Sequence, residues 1–128
     1  MTSSVFYKFK KIDEDELFFA VRDGYPVTAL HTLIIPKRHI ISFFELNKIE
    51  QEGLFSFLEK QKEMILAEDS LVCAFNIGIN DGTEAGRSID HLHIHLIPRR
   101  KGDMDNPRGG VRGVIPEKQK YIKKDEII

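Results

Sequence analysis

Apolar residues in this chain come in short blocks of strand length, interrupted once by a helical period. LFFAV, from Leu17 to Val21, is a compact apolar run of strand length. DGYP, Asp23 to Pro26, has turn chemistry. HTLIIP, His31 to Pro36, is β-branched and stops at a proline, which predicts a second strand. Beyond Asn47 the pattern turns helical. Leu54, Phe57, Leu58 and Ile65 share one face with Gln61 in the gap, and Asn47 with Glu50 forms a capping-box pair. A helix over 47–67 follows, although Gly53 costs it about 1 kcal/mol relative to alanine. LVCAFNIGI (71–79) predicts another strand, NDGTEAGRS (80–88) a glycine-containing loop, and HLHIHLIP (91–98) a final strand. One long helix that does not alternate with the strands argues for an α+β fold on an antiparallel sheet.

The last strand carries the candidate chemistry. Successive strand residues point to opposite faces, so Leu92, Ile94 and Leu96 can pack under the helix while His91, His93 and His95 share the other face. Three readings compete for that row. The histidines could be plain surface or satisfied core residues. They could hold zinc, since three histidines plus water is a catalytic zinc shell. A straight row spreads its outer members by roughly 13 Å, however, which suits an ion poorly. Or a neutral imidazole could attack phosphorus, with its neighbours orienting it and stabilising phosphoryl oxygens.

Composition narrows the partners. The chain has 128 residues, 41% hydrophobic and 30% charged, which fits one globular domain. A formal net charge of −1 supplies no bulk field for nucleic acid or anionic lipid, so both are set aside as partners. Cys73 is the single cysteine; it excludes an internal disulfide, and its apolar setting predicts a buried, inert thiol. The N-terminus MTSSVFYKFKK has no secretory pattern, and no stretch reaches the roughly 18 apolar residues of a membrane span, so the reducing cytoplasm is the expected location.

The motif H-L-H-I-H-L-I, the upstream segment ALHTLIIPKRHI and the loop INDGTEAGRS together resemble the histidine triad family of nucleotide hydrolases and transferases, over roughly residues 15 to 115. The resemblance implies an antiparallel sheet of about five strands with one long helix, paired into a homodimer-wide sheet. It implies roles as well. His93 would be the nucleophile that takes the nucleotidyl group. His95 would contact the scissile phosphate, His91 would hold the other histidines in their working tautomers, and His31 would lie near the phosphate. Asp23 would accept from the ribose hydroxyls, in competition with a plain turn role. Asn80 would lie near ribose or phosphate, Gly86 would admit the backbone close to phosphate, and Ser88 would donate to a phosphate oxygen. His39, outside the triad, is expected to be a structural partner.

Some positions depart from the family pattern. Arg87 stands where glutamine is common; it could bind phosphate or face solvent. Asp90 places a carboxylate beside His91. Leu30 stands where glycine is frequent. The family's branches differ in leaving group: an amine for phosphoramidases, a nucleotide for dinucleoside polyphosphate hydrolases. The segment 99–116, with Arg99, Arg100, Lys101, Arg108 and Arg112, resembles bacterial diadenosine tetraphosphate hydrolases and favours the polyphosphate branch, unless its charges are merely solvated. A short charged tail follows. The sugar-nucleotide transferase branch has glutamine for the third histidine, which here is His95. A nucleotide-binding module with weak turnover stays open as a different class. No resident metal or other cofactor is required by this chemistry, and Mg2+ could accompany a polyphosphate as counter-ion.

Overall fold

In the computed structural model, which describes residues 4–121, strand β1 (Asp13–Glu14) is followed by β2 (Phe18–Arg22) and β3 (Thr32–Pro36). Helix α1 (Lys48–Glu68), β4 (Val72–Gly78) and β5 (Ile94–Arg100) complete the main elements. The strands form one sheet in the order β1-β2-β3-β5-β4, and every pairing is antiparallel. The expected α+β architecture is therefore present. None of the described helices is long and apolar enough to cross a membrane.

The helix begins where its cap predicts. Asn47 Oδ1 accepts from Glu50 N at 2.8 Å, and Glu50 Oε1 accepts from Asn47 N at 2.9 Å. Arg38 donates to both Glu50 oxygens, from Nε at 3.1 Å and Nη2 at 2.7 Å. These donors hold the buried Glu50 carboxyl below its usual range, against a burial effect that would raise it. Gly53 has a packing reason: a Cβ there would meet Leu17 Cδ1 at 2.9 Å. The glycine thus lets the helix lie close to the start of β2, which offsets its poor helix propensity.

Both faces of the sheet are covered. Against α1, the residues Leu54, Phe57 and Ile65 pack on Phe18, Ala20 and Ile34 and on Leu92, Ile94 and Leu96. Each leucine, isoleucine and phenylalanine among them contributes about 1.5–3 kcal/mol. On the opposite face Phe6, from a 3-10 turn at Val5–Lys8, packs with Phe19, Val21, Leu33 and Ile35. Sequence patterning had assigned no element to that N-terminal turn.

Two expectations change. The regular strand starts at Ile94, not His91, because the β3 ladder reaches β5 only through Thr32–Leu96, Leu33–His95 and Ile34–Ile94. His91 and His93 lie on the chain leading into it, tied by Leu92 N to the Ile40 carbonyl at 2.8 Å. Cys73 is exposed, not buried. Its strand β4 lies at the sheet edge, so its apolar run is not enclosed by neighbours on both sides.

The basic segment after β5 turns back on β4 through 3-10 turns at Gly110–Val114 and Pro116–Lys118. Gly109 sits at φ +82°, where a Cβ would collide with the Gln119 carbonyl. Residues 122–128 of the expected charged tail lie outside the described residues.

Candidate active site

Five histidines gather at the joint of β3 and β5. His91 is fully buried; its Nε2 donates to the Pro36 carbonyl at 2.8 Å. Burial, above all, holds His91 below the ordinary histidine value, and the Pro36 carbonyl opposes this. His39 stacks on the His91 ring at 4.3 Å and donates from Nε2 to the Asp90 carbonyl at 2.8 Å, a structural arrangement.

His93 is 9% exposed, with Phe6 4.9 Å from its ring centre. Its Nδ1 lies 2.8 Å from the His91 carbonyl. A carbonyl only accepts, so the His93 proton sits on Nδ1 and the Nε2 lone pair is bare. Nε2 has no partner among the described residues. The tautomer of His93 is thus set by the backbone of His91, whereas the expectation had pointed to His91 as a residue without naming the group.

His95 follows at 5.3 Å between ring centres and lies 2.9 Å from His31 through Nδ1 and Nε2. Burial, then the nearby His93 and His31, lowers the His95 value to about 4, with Asp23 opposing. His31 is lowered by burial, again opposed by Asp23. Both rings are therefore neutral at pH 7. Asp23 lies 3.5 Å from His31 Nε2 through Oδ2, while its Oδ1 accepts from Tyr25 N at 2.8 Å. The carboxylate serves the turn with one oxygen and faces the site with the other.

Ligand atoms of Asp23, His31 and His95 lie within 4.8 Å of one another, a spacing that a metal ion could bridge. One contact speaks against it. The Val27 backbone N–H donates to His31 Nδ1 at 3.0 Å. That keeps the His31 proton on Nε2, pointing at the place an ion would occupy. A ligating histidine ordinarily has the reverse arrangement, its second nitrogen donating outward.

A cavity of about 800 Å³ opens beside this cluster, within the range of nucleotide-sized sites. Asp23, His31, His95 and Asn80 form part of its polar wall; Asn76, Arg99, Met104 and Gln119 line it further out. Gly86, at φ +102°, lies against the Asn80 amide, where a Cβ would stand 3.8 Å from it. Ser88 is exposed, and neither it nor Gly86 or Arg87 lines the cavity. Arg87 is engaged by Asp90, Nε to Oδ1 at 3.0 Å.

The basic segment contributes less free charge than its composition implies. Arg99 lines the cavity but is clamped by Asp103 at 2.9 and 2.8 Å and donates to Asn76 at 2.7 Å. The Arg99 guanidinium in turn draws the Asp103 carboxyl down to about 2. Arg100 binds Asp69 at 2.9 Å, and Arg112 lies over the Tyr121 ring at 4.7 Å. Sequence reasoning missed Phe6, Val27, Asn76, Met104 and Gln119. The aromatic spacing in VFYKF was the one available signal, since the others act through backbone atoms or distant chain return.

Residues 7–102 match the HIT domain. The chain belongs to the HIT family. An asymmetrical bis(5'-nucleosyl)-tetraphosphatase of Schizosaccharomyces pombe is 37% identical over 101 residues, covering 79% of this chain and 52% of that enzyme. An AP-4-A phosphorylase of Mycobacterium tuberculosis is 36% identical over 89 residues, covering 69% and 45%. The chain therefore spans about half the length of these HIT relatives. A HIT family protein from Bacillus subtilis superposes with a TM-score of 0.72 at 32% identity, covering 79% of this chain and 76% of that one. One from Bacillus anthracis gives 0.68 at 38%, covering 73% and 66%. The HIT match ends before most of the basic segment, which the resemblance had been expected to include.

Proposed function

We propose that this HIT protein hydrolyses a dinucleoside polyphosphate, such as diadenosine tetraphosphate, through a nucleotidyl intermediate on His93. The observation that carries this is the His93 ring itself: proton held on Nδ1 by a carbonyl, bare Nε2 beside His95. Attack by Nε2 forms a P–N bond as the P–O bond to the leaving phosphate breaks. The ring becomes cationic, and its Nδ1–H stays bound to the His91 carbonyl, which stabilises that charge. Water then attacks phosphorus, the P–N bond breaks, its electron pair returns to Nε2, and the surplus proton passes to solvent.

Asp23 is assigned to the ribose hydroxyls and Asn80 to the phosphate or ribose. Gly86 and Ser88 are assigned to phosphate oxygens. Arg87 could join them only by leaving Asp90. The polyphosphate branch is favoured over the phosphoramidase branch by the activities named for the two curated relatives, more than by the basic segment, whose arginines are largely engaged. Mg2+ is proposed as a substrate counter-ion and no resident metal is invoked. A homodimer through the open edge of β4 is proposed on its exposed Ile77 and the adjoining Leu71. An exposed unpaired thiol at Cys73 suits a reducing compartment such as the cytoplasm.

The test is a panel of diadenosine polyphosphates against an adenosine phosphoramidate, with wild-type protein and His93→Ala. Preferred turnover of a polyphosphate, reduced by about 10⁴-fold or more in the variant, is expected. Preference for the phosphoramidate would overturn the branch. Equal slow turnover by both proteins would remove His93 as nucleophile and leave a binding module.

A further inference from the structure

The lining of the 800 Å³ cavity is of two kinds. Asp23, His31 and His95 give it one polar part. The other part is apolar: Ile77, Ile97, Met104, Val111 and Val114, with the amides of Asn76 and Gln119 among them. Met104, Val111, Val114 and Gln119 lie beyond residue 102, where the HIT match stops. Much of this wall is therefore supplied by the segment that folds back after β5.

The wall offers no free cation among the described residues. Arg99 is the one cation lining the cavity, and Asp103 pairs with it at 2.9 and 2.8 Å. Arg108 and Arg112 do not line the cavity; they stand over the Tyr121 ring at 5.9 and 4.7 Å. The segment thus spends its arginines on itself, while Val111 and Val114 stay exposed. Apolar side chains left in water gain by covering an apolar ligand.

Two hydrogen-bonding atoms are left over in the same wall. A guanidinium only donates, so Asn76 offers Oδ1 to Arg99 Nη1 at 2.7 Å and keeps Nδ2 as a donor. A carbonyl only accepts, so Gln119 gives Nε2 to the Arg108 carbonyl at 3.4 Å and keeps Oε1 as an acceptor. Neither spare atom has a hydrogen-bond partner among the described residues. A glycine stands beside each. A Cβ on Gly110 would lie 3.1 Å from Asn76 Nδ2, and one on Gly113 would lie 2.7 Å from Gln119 Oε1. Side chains there would crowd the two atoms, and glycine leaves them uncovered.

We propose that this wall is a second nucleoside site, which takes the base of the leaving nucleotide. The inference rests on the reading that the substrate is a dinucleoside polyphosphate, and it names what recognises the far end of that substrate. A run of phosphates needs free cations, and the one cation here is already paired. A nucleobase is flat and apolar on its faces and carries donors and acceptors along its edge. The apolar side chains suit the faces; the spare Asn76 donor and Gln119 acceptor suit the edge. The segment after β5 then selects the leaving nucleotide by its nucleoside and not by its charge.

Two substrates that react at the same phosphorus isolate the far end. Diadenosine tetraphosphate carries the second nucleoside, and adenosine 5′-tetraphosphate lacks it. The wild-type protein is expected to prefer the first by about 10-fold or more in kcat/KM. Gly113→Ala, which displaces the Gln119 amide, and Val111→Asn, at an exposed position, are each expected to cut that preference by about 3-fold or more. No preference in the wild type, or an undiminished one in both variants, overturns the site. Side-chain amide NMR of His93→Ala reads the site without turnover. Diadenosine tetraphosphate is expected to shift the Asn76 and Gln119 NH₂ signals, and adenosine 5′-tetraphosphate to leave them in place. Equal shifts with both would mean that the wall holds phosphate, and no shift with either would mean that it holds nothing; each refutes the proposal. If the wild-type protein hydrolysed neither compound, the proposed function would fall, and the amide signals would still decide the second site.

Discussion

The two faces of the sheet share one segment, and they obey different rules. Toward α1, the residues Leu92, Ile94 and Leu96 are packed by volume alone. Toward Phe6, the intervening histidines must satisfy volume and hydrogen-bond direction together. His91 gives Nε2 to a carbonyl while its Nδ1 is buried with no partner among the described residues. A small displacement on the helix face costs dispersion and area, spread over many contacts. The same displacement on the histidine face can reverse a donor and an acceptor. One side of these few residues thereby carries packing alone, and the other carries packing and chemistry together.

Substitutions can pull that contrast apart. Phe6→Ala should have the largest effect on stability, about 3–4 kcal/mol, and should also lower kcat, because Phe6 packs on both His91 and His93. Denaturant unfolding and steady-state rates measure the two; full activity per folded molecule would mean that this face, too, is only packing. Ile94→Ala should cost about 3 kcal/mol yet leave kcat per folded molecule near wild type, although Ile94 stands between His93 and His95.

Glu50→Gln should cost about 1–2 kcal/mol at neutral pH by weakening the Arg38 pair. The Glu50 carboxyl is held low in the folded state, so its contribution is present above the ordinary glutamate value and is lost as pH falls through the lower folded one. Stability of the wild type should therefore decline more steeply on acidification than that of Glu50→Gln, as read by thermal unfolding across pH 3 to 6, a window set by the usual value of about 4.3. Gly53→Ala should be the mildest, within about 1 kcal/mol of neutral, because gained helix propensity opposes the close approach to the end of the Leu17 side chain. A loss of several kcal/mol would show that Leu17 cannot give way.

Much of the fold was legible because its signals are local. The Asn47–Glu50 pair marked the helix start, and the alternation of Leu92, Ile94 and Leu96 gave the correct buried face. The strand boundary at Ile94 was not legible, since it depends on where β3 stops pairing. Cys73 misled because an apolar run reads the same at a sheet edge as in its centre. In the candidate site, the motif brought His31, His93 and His95 together on the page as they stand in space. It could not reveal that the His91 carbonyl directs His93, or that Val27 N–H reaches His31, because a backbone atom leaves no mark in residue identity. Nor could it show that Arg99 and Arg87 are engaged by Asp103 and Asp90, as charge counts carry no pairing.

Leu30 joins the two faces at one position. It holds φ at +72°, a conformation that costs a leucine about 1 kcal/mol and a glycine almost nothing. Its side chain packs against the helix-side core, and the next residue is His31. The torsion that aims His31 is therefore braced from the opposite side of the sheet, like a lever with its long arm in the core. Loosening that core should be felt first as angular play in His31, before any strand separates.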